Sequence, residues 1–208
     1  MTKQKTYKIH EIFYSIQGEG QWVGKPMVFI RFWGCNLECR FCDTPQRDED
    51  MREMTLDAII KATRRLTVAY PAVCLTGGEP LMQIDEELLQ GIKKCSTGIY
   101  LETNGTISLR EHLAFYFKHI AVSPKGMSTD IGLIEQAHEL RFAYTKDREH
   151  ILEDFRTRFH INPAKVFVSP VNYEKRVHDQ NLHDAVEYCL KHPLVRLSVQ
   201  AHKLWRIR

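Results

Sequence analysis

The sequence lacks the features that place a chain in a membrane, in the secretory pathway or on nucleic acid. Its longest apolar runs, such as Met27–Phe32, are only strand-length, whereas a membrane span needs about 18 or more apolar residues. No apolar stretch follows the N-terminal residues as it would in a secretory signal. The net charge of +3 is small and evenly mixed, which argues against nucleic acid as a partner. We therefore expect a cytoplasmic protein that binds neither nucleic acid nor a membrane.

Cysteine is sparse outside one short segment. Three of the six cysteines, Cys35, Cys39 and Cys42, lie within eight residues, and clustered thiolates in a cytosolic chain indicate a metal site rather than disulfides. Structural zinc takes four ligands, usually in two separated pairs, and an electron-transfer ferredoxin needs a fourth cysteine. Neither a second pair nor a nearby fourth cysteine is present. Three cysteines would leave one iron of a four-iron cluster open to a substrate.

Short apolar runs alternate with longer amphipathic ones along most of the chain. The runs are rich in Val, Ile, Phe and Tyr and predict buried strands at Met27–Trp33, Ala72–Thr76, Gly98–Thr103, His119–Ser123, Leu140–Tyr144, Lys165–Ser169 and Val195–Gln200. Helices are predicted at Leu56–Leu66 with Thr55 as N-cap, Ile84–Lys94, Ser108–Phe117 with a Ser108/Glu111 capping box, Ile131–His138, Asp147–Phe159 and Asp179–Leu190. This alternation predicts one α/β domain over residues 1–208, an open or partial (β/α) barrel of about six parallel strands.

The segments that follow the predicted strands are polar, glycine-rich or metal-binding. They are Gly34-Cys35, Thr76–Glu79, Glu102–Gly105, Ser123–Lys125 and Ser169-Pro170. In parallel α/β folds the chemistry gathers at the carboxyl ends of the strands. We therefore expect these segments to share one site.

The C-x3-C-x2-C spacing of Cys35, Cys39 and Cys42 resembles the cysteine motif of the radical S-adenosylmethionine (SAM) superfamily. The resemblance implies a [4Fe–4S] cluster whose open iron binds SAM and cleaves it reductively to a 5′-deoxyadenosyl radical. It places Phe41 against the adenine, although a hydrophobic plug over the cluster is an equally good role for this ring. Gly77-Gly78-Glu79, which follows Thr76, resembles the superfamily's SAM-holding loop, with Glu79 accepting a hydrogen bond from the SAM amino group; a lone Gly-Gly-Glu would be an ordinary loop.

The flanking segments are more specific and resemble the 7-carboxy-7-deazaguanine synthase family over nearly the whole chain. They are Phe13–Gly20, Met27–Cys35, Cys42–Pro45, Leu75–Pro80, Leu101–Gly105 and Val122–Lys125. The resemblance implies ring contraction of 6-carboxy-5,6,7,8-tetrahydropterin to 7-carboxy-7-deazaguanine with loss of ammonia and regeneration of SAM. It also implies assistance by Mg²⁺, a flavodoxin or ferredoxin as electron donor, and a homodimer.

The resemblance assigns the substrate to residues from four parts of the chain: Ile16, Gln17, Gly18, Glu19, Arg31, Thr76 and Arg208. Glu19 suits the N–H donors of a pterin's pyrimidine edge. Arg31 lies on a strand otherwise built for burial, and a buried guanidinium is costly unless it meets an anion. The substrate carboxylate is the expected anion; the alternative is a structural salt bridge to a helix. Arg208 would act through its carboxylate, while the nearby His202 and Lys203 are equally well surface residues.

The remaining site residues are assigned to SAM and to magnesium. The SAM set is Phe41, Gly77, Gly78, Glu79, Glu102, Ser123, Pro124, Lys125, Ser169, Pro170, Val171 and Asn172. The Thr44 hydroxyl is the implied magnesium ligand, since magnesium prefers hard oxygen donors and keeps several waters. The alternative is that Asp43-Thr44-Pro45 is only a turn. The histidines show no metal-ligand spacing, and we assign none of them chemistry.

Three other functions use parts of the same pattern. A radical SAM activase that makes a glycyl radical on a partner protein would share the cysteine spacing but not need the Phe13–Gly20 segment. An iron–sulfur carrier or scaffold would hold a cluster without binding SAM. A structural zinc module would bind zinc and be colourless.

Overall fold

The computed structural model describes residues 4–42, 44, 48–173 and 177–208, which contain one nine-stranded sheet. The strands are β1 (Thr6–Ile16), β2 (Pro26–Phe32), β3 (Arg52–Thr55), β4 (Ala72–Gly77), β5 (Gly98–Thr103), β6 (Phe117–Val122), β7 (Glu139–Tyr144), β8 (Val166–Pro170) and β9 (Arg196–Leu197). Their order across the sheet is β3-β1-β2-β4-β5-β6-β7-β8-β9. The seven strands from β2 to β9 in this order are parallel, whereas β1 and β3 add an antiparallel edge.

Helices connect successive parallel strands. They are α1 (Leu56–Arg65), α2 (Glu86–Lys93), α3 (Glu111–Ala114), α4 (Ile131–Gln136), α5 (Glu149–Arg158), α6 (Asp179–Lys191) and, after the last strand, α7 (Ala201–Trp205). The Thr55 hydroxyl caps α1 as predicted and accepts a hydrogen bond from Ala58 N at 3.3 Å. None of these helices is long and apolar enough to cross a membrane.

The two faces of the sheet carry different side chains because successive strand residues point to opposite sides. On β4, Val73 and Leu75 join the core under the helices, together with Ile59 of α1 and Leu88 of α2. The opposite face begins with a small apolar layer in which the rings of Phe13 and Phe29 stack 5.1 Å apart. We call this the concave face, because its upper part lines a cavity.

The α/β class and the parallel, open-barrel architecture are confirmed. The parallel strands number seven rather than about six, and the sequence analysis did not predict β1 and β3. Strand β1 does carry the alternation of a half-buried strand, since Tyr7, Ile9 and Phe13 are buried.

Two local predictions were wrong. The Ser108/Glu111 capping box does not form, because Ser108 Oγ instead donates to the carboxylate of Asp130 at 2.6 Å, and α3 begins only at Glu111. The strand predicted at Val195–Gln200 shortens to β9, after which the chain turns into α7. This early turn brings the final segment back toward the cavity.

Candidate active site

One cavity of about 860 Å³ lies on the concave face. It is lined by all of the site residues predicted from sequence except Glu79 and Pro124. The carboxyl ends of β2, β4, β5, β6 and β8 contribute to it, as expected for a parallel sheet. The structure thus brings the predicted residues together, while the role of each remains a prediction.

Cys35, Cys39 and Cys42, which we call the cysteine wall, lie on the loop after β2 and line one side of the cavity. All three thiols are free, and those of Cys35 and Cys42 are exposed. Burial raises the pKa of Cys39, while the charge of Lys125 acts in the opposite direction. Within the described residues no three His, Cys, Asp or Glu side chains converge on a common ion position. Thiolates are soft ligands that suit iron–sulfur clusters, so the cysteine wall fits a [4Fe–4S] cluster with one iron left open.

The ring of Phe41 lies between two cations. The Arg148 guanidinium is 4.4 Å from the ring centroid and the Lys125 ammonium 5.7 Å, both within the range of a cation–π contact. Lys125 also donates to Ser123 Oγ at 2.7 Å. Arg148 was not predicted; it follows β7 and has no motif around it. These contacts hold the cysteine loop against the ends of β6 and β7.

The Gly77–Glu79 loop is fixed closely to the loop after β2. Gly77 has φ +139°, and a Cβ there would collide with the backbone of Phe32, so glycine is required. Glu79 N donates to Gly34 O at 2.8 Å, which joins this loop to the cysteine segment.

The Glu79 carboxylate faces the protein and not the cavity. It is fully buried and accepts hydrogen bonds from Thr103 Oγ1 at 2.7 Å, Asn104 N at 2.7 Å and Leu81 N at 3.0 Å. Burial raises its pKa despite these donors. Its hydrogen bond to the SAM amino group remains a prediction. In the structure, the Glu79 side chain connects the Gly77-Gly78 loop to the end of β5 by hydrogen bonds.

Arg31 projects from β2 into the cavity beside the antiparallel edge strand. Its Nε pairs with Glu11 Oε1 of β1 at 3.1 Å, and its Nη1 donates to Thr44 Oγ1 at 3.2 Å. The protein partner of Arg31 is therefore on a neighbouring strand, not on a helix as the structural alternative supposed. Arg208 pairs with the other Glu11 oxygen at 2.7 Å, so two guanidiniums share one carboxylate. Asp43 and Pro45, named with Thr44 in the sequence analysis, lie outside the described residues.

The floor of the cavity is a buried charged group that the sequence analysis found only in part. Arg141 of β7 donates through Nη1 to Glu19 Oε2 at 2.6 Å and to Glu102 Oε1 at 3.2 Å, and through Nε to Glu139 Oε1 at 3.1 Å. We call these three carboxylates and Arg141 the carboxylate floor. Glu19 and Glu102 were predicted site residues; Arg141 and Glu139 were not. Their signal was two opposite charges at alternate positions of an otherwise apolar strand.

Gln17 and Thr76 complete the floor at Glu102. Gln17 Nε2 donates to Glu102 Oε1 at 2.9 Å, and Thr76 Oγ1 donates to Glu102 Oε2 at 3.0 Å. Both are predicted substrate-contacting residues. Their hydrogen bonds fix the orientation of the Glu102 carboxylate.

The residues 17–25, which we call the crossing loop, run from β1 across the concave face to the far side of the sheet. Gly20 N donates to Ser198 Oγ at 2.9 Å, and Ala201 N of α7 donates to Gly18 O at 2.9 Å. A Cβ on Gly18 would collide with the imidazole of His202, which also lines the cavity. The crossing loop therefore closes the open side of the sheet and requires glycine where α7 meets it.

An open parallel sheet with a three-cysteine loop at the carboxyl end of its first parallel strand defines the radical SAM class. Residues 30–175 match the family model described as Radical SAM superfamily, and the chain belongs to that superfamily.

The particular family follows from full-length relatives. The 7-carboxy-7-deazaguanine synthase of Burkholderia multivorans is 33% identical, over 97% of this chain and 99% of that protein. The synthase of Bacteroides thetaiotaomicron is 38% identical, over 97% and 98%. The chain belongs to the 7-carboxy-7-deazaguanine synthase family. A solved structure, QueE from Escherichia coli, is similar with a TM-score of 0.77 over 95% of both chains at 24% identity, which shows the shared fold.

Proposed function

We propose that this protein is a radical SAM lyase that converts 6-carboxy-5,6,7,8-tetrahydropterin to 7-carboxy-7-deazaguanine with loss of ammonia, a step of queuosine biosynthesis. The observation that carries the proposal is that the cysteine wall lines the same cavity as Glu19, Glu102 and Arg141 of the carboxylate floor. A radical generated at the wall would thus meet a substrate held at the floor. The family relatives, which match nearly end to end, carry the same name.

Cys35, Cys39 and Cys42 would hold the [4Fe–4S] cluster, and SAM would occupy the adjacent part of the cavity. When bound, the cluster and SAM would supply the radical chemistry that removes a hydrogen atom from C6 of the pterin and returns one to the rearranged product. Phe41, Gly77 and Gly78 line the cavity next to the cysteine wall, as a SAM-binding role requires. The SAM-contacting set extends to Ser123–Lys125 of the loop after β6 and to Ser169–Asn172 of β8 and the loop that follows it.

The floor would recognise the pterin's pyrimidine ring. Its N3–H and 2-amino groups are donors beside a carbonyl acceptor, and ionised carboxylates are strong acceptors for such groups. The Glu19 and Glu102 side chains are 15% and 25% exposed, so both reach the cavity. Glu102, which the sequence analysis assigned to SAM, would thus act on the substrate instead. The substrate carboxylate would lie at Arg31 of β2, next to Thr76.

Magnesium, the electron donor and the oligomeric state complete the proposal. Thr44 would ligate Mg²⁺ next to the substrate carboxylate, since its hydroxyl lies 3.2 Å from Arg31 Nη1. The exposed thiols of Cys35 and Cys42 would let a flavodoxin or ferredoxin approach the cluster. We further propose a cytoplasmic homodimer in which residues 1–208 form a single domain.

Anaerobic turnover tests this proposal. The reconstituted enzyme receives dithionite, SAM, Mg²⁺ and 6-carboxy-5,6,7,8-tetrahydropterin, and the products are followed by mass spectrometry. We expect 7-carboxy-7-deazaguanine in many turnovers per SAM. Formation of only deoxyadenosine and methionine would overturn the pterin assignment and favour an activase, whereas a cluster without SAM binding would indicate a carrier.

A further inference from the structure

The carboxylate floor contains more negative than positive charge. Three carboxylates, from the crossing loop (Glu19), β5 (Glu102) and β7 (Glu139), meet the single guanidinium of Arg141, so the group carries a net charge of −2 when all four are ionised. Arg141 is only 8% exposed. Buried carboxylates that lie close together disfavour each other's ionisation unless a cation offsets them.

The guanidinium divides its donors between two directions. Its Nε, together with Nη2, contacts Glu139, which is fully buried and also accepts from Gln21 N at 2.8 Å. Its Nη1 contacts Glu19 and Glu102, which reach the cavity. Glu139 thus anchors Arg141 from below, and Arg141 in turn determines where the two cavity carboxylates lie.

Glu19 depends on this contact more than Glu102 does. Glu102 is also held by Gln17 and Thr76, whereas among the described residues Arg141 supplies the side-chain hydrogen bond to the Glu19 carboxylate. Without Arg141, Glu19 would keep its backbone position at the start of the 3-10 turn Gly20–Trp22 but lose the contact that orients its side chain.

We propose that Arg141 is a positioning residue for substrate recognition, which holds Glu19 and Glu102 side by side and negatively charged so that together they accept the N–H donors of the pterin's pyrimidine edge. The proposal rests on the proposed function. Lysine would not replace Arg141, because one ammonium lacks the planar fork that reaches three carboxylates in fixed directions. Arg141 acts through the glutamates, because its Nε, Nη1 and Nη2 all contact carboxylates of the floor.

Substrate binding without turnover is the first test. The cluster-loaded enzyme with SAM, but without reductant, is titrated with 6-carboxy-5,6,7,8-tetrahydropterin by calorimetry under anaerobic conditions. We expect Arg141→Gln to weaken pterin binding by about 10- to 100-fold, the worth of one or two charge-assisted hydrogen bonds. Arg141→Lys should fall between this variant and the wild type. SAM affinity should change less than about twofold.

The pH profile adds a readout that a merely structural role would not change. The titratable groups of the floor besides Arg141 are Glu19, Glu102 and Glu139. The groups that face it are His119, whose Nε2 lies 3.3 Å from Glu139, the buried Cys74 and the charged Arg31. Burial raises the pKa of Glu139 and the charge of Arg141 lowers it; removal of that charge leaves three neighbouring carboxylates without their cation. Pterin binding by Arg141→Gln should therefore weaken more steeply than wild-type binding as the pH is lowered from 8 to 6. A parallel profile for both proteins would overturn the proposal.

A second pair of variants guards against loss of folding. Glu139→Gln/Arg141→Gln keeps the net charge of the group at −2, so it should fold even where Arg141→Gln does not. The proposal expects the double variant to bind pterin at least about tenfold more weakly than Glu139→Gln alone; equal binding would overturn it. Arg156→Lys is the matched control, since Arg156 pairs with Glu153 on α5 on the other side of the sheet.

The outcomes separate this inference from the proposed function. If the wild type neither binds nor converts the pterin, the proposed function fails and the role of Arg141 fails with it. If the wild type does both and the Arg141 variants match it, only the positioning role is overturned. Equal loss of pterin and SAM affinity would also overturn that role, because the floor would then act on the cavity as a whole.

Discussion

The cysteine wall and the carboxylate floor lie in one cavity but are built in opposite ways. The wall is a single loop of eight residues whose thiols are partly exposed. The floor draws its four side chains from a loop and two strands, buries them and connects them by hydrogen bonds. We expect the wall to be needed for the reaction but to add little to the stability of the fold. The hydrogen bonds of the floor fix side-chain positions on which both the fold and the substrate site depend. Four sets of variants test this difference.

The largest effect is expected at the wall. Cys35→Ala, Cys39→Ala and Cys42→Ala should each abolish turnover and prevent an intact cubane, because the cluster then lacks one of its three protein ligands. Iron content and visible absorbance report the cluster, and circular dichroism should show an unchanged fold. Cys189→Ala, on α6 away from the cavity, is the control and should retain both. Full activity in any wall variant would disprove the cluster assignment.

At the floor we expect a loss of stability. Burial alone would raise the pKa of Glu139, but the charge of Arg141, the nearby His119 Nε2 and a hydrogen bond from Gln21 N lower it to about 2. Glu139→Gln should therefore cost about 3–5 kcal/mol of unfolding free energy at pH 7, the usual cost of breaking a buried ion pair. Chemical denaturation measures it.

The pH dependence gives this prediction its sign. A carboxylate whose pKa is lowered on folding stabilises the protein above its ordinary value of 4.5 and loses that effect as the pH falls toward 2. The difference between wild type and Glu139→Gln should thus shrink from pH 4.5 downward. Glu153→Gln, a half-exposed partner of Arg156, should cost less than about 1 kcal/mol. A similar cost for both variants would contradict the special role of the floor.

Arg31 lies between the wall and the floor, and the structure offers a way to separate its two interpretations. Arg31→Ala should raise the substrate KM by on the order of 100-fold, with SAM binding nearly unchanged, if Arg31 holds the substrate carboxylate. Glu11→Gln removes the protein partner of Arg31 but keeps the guanidinium, and should change KM by less than about fivefold. If Glu11→Gln had the same effect as Arg31→Ala, the salt bridge alone would explain Arg31.

Two glycines of the crossing loop give the finest comparison. Gly20 and Gly24 have φ +67° and +90°, so alanine is strained at both, by about 1–2 kcal/mol. A Cβ on Gly24 meets open space, whereas a Cβ on Gly20 collides with Glu139 and Arg141. Gly20→Ala should therefore lower Tm further than Gly24→Ala and also raise the pterin KM. Equal effects of the two substitutions on Tm and KM would mean that glycine is required at position 20 because of backbone strain, and not because of contact with the floor.

The same contrast explains how far the sequence predicted the molecule. The wall could be found because its three cysteines are neighbours in the chain, and the strand pattern was clear because parallel strands are buried on both faces. Arg141 and Glu139 were missed although their opposite charges stand on an otherwise apolar strand, because the partners of Arg141 are remote in the chain: Glu19, 122 residues away, and Glu102. The resemblance named Glu19 and Glu102, but no sequence pattern shows the contact that joins them.

The short elements were predicted least well for a related reason. Ser108 had a suitable spacing to Glu111, yet Asp130 offered its hydroxyl a partner from another segment. The sequence pattern predicts a strand at Val195–Gln200, but among these residues only Arg196 and Leu197 pair with β8. In both places a tertiary contact replaced the local preference.

The crossing loop also affects the order in which a nascent chain becomes an enzyme. Its residues leave the ribosome early, but their partners Ser198, Ala201 and His202 are synthesised more than 170 residues later. Strands β2 and β4 to β8 follow one another in the sheet in the order of synthesis, so most of the core can assemble during translation. The cavity closes only after that, which means that a chain interrupted shortly before α7 would carry the cluster ligands and most of the core without a finished substrate site.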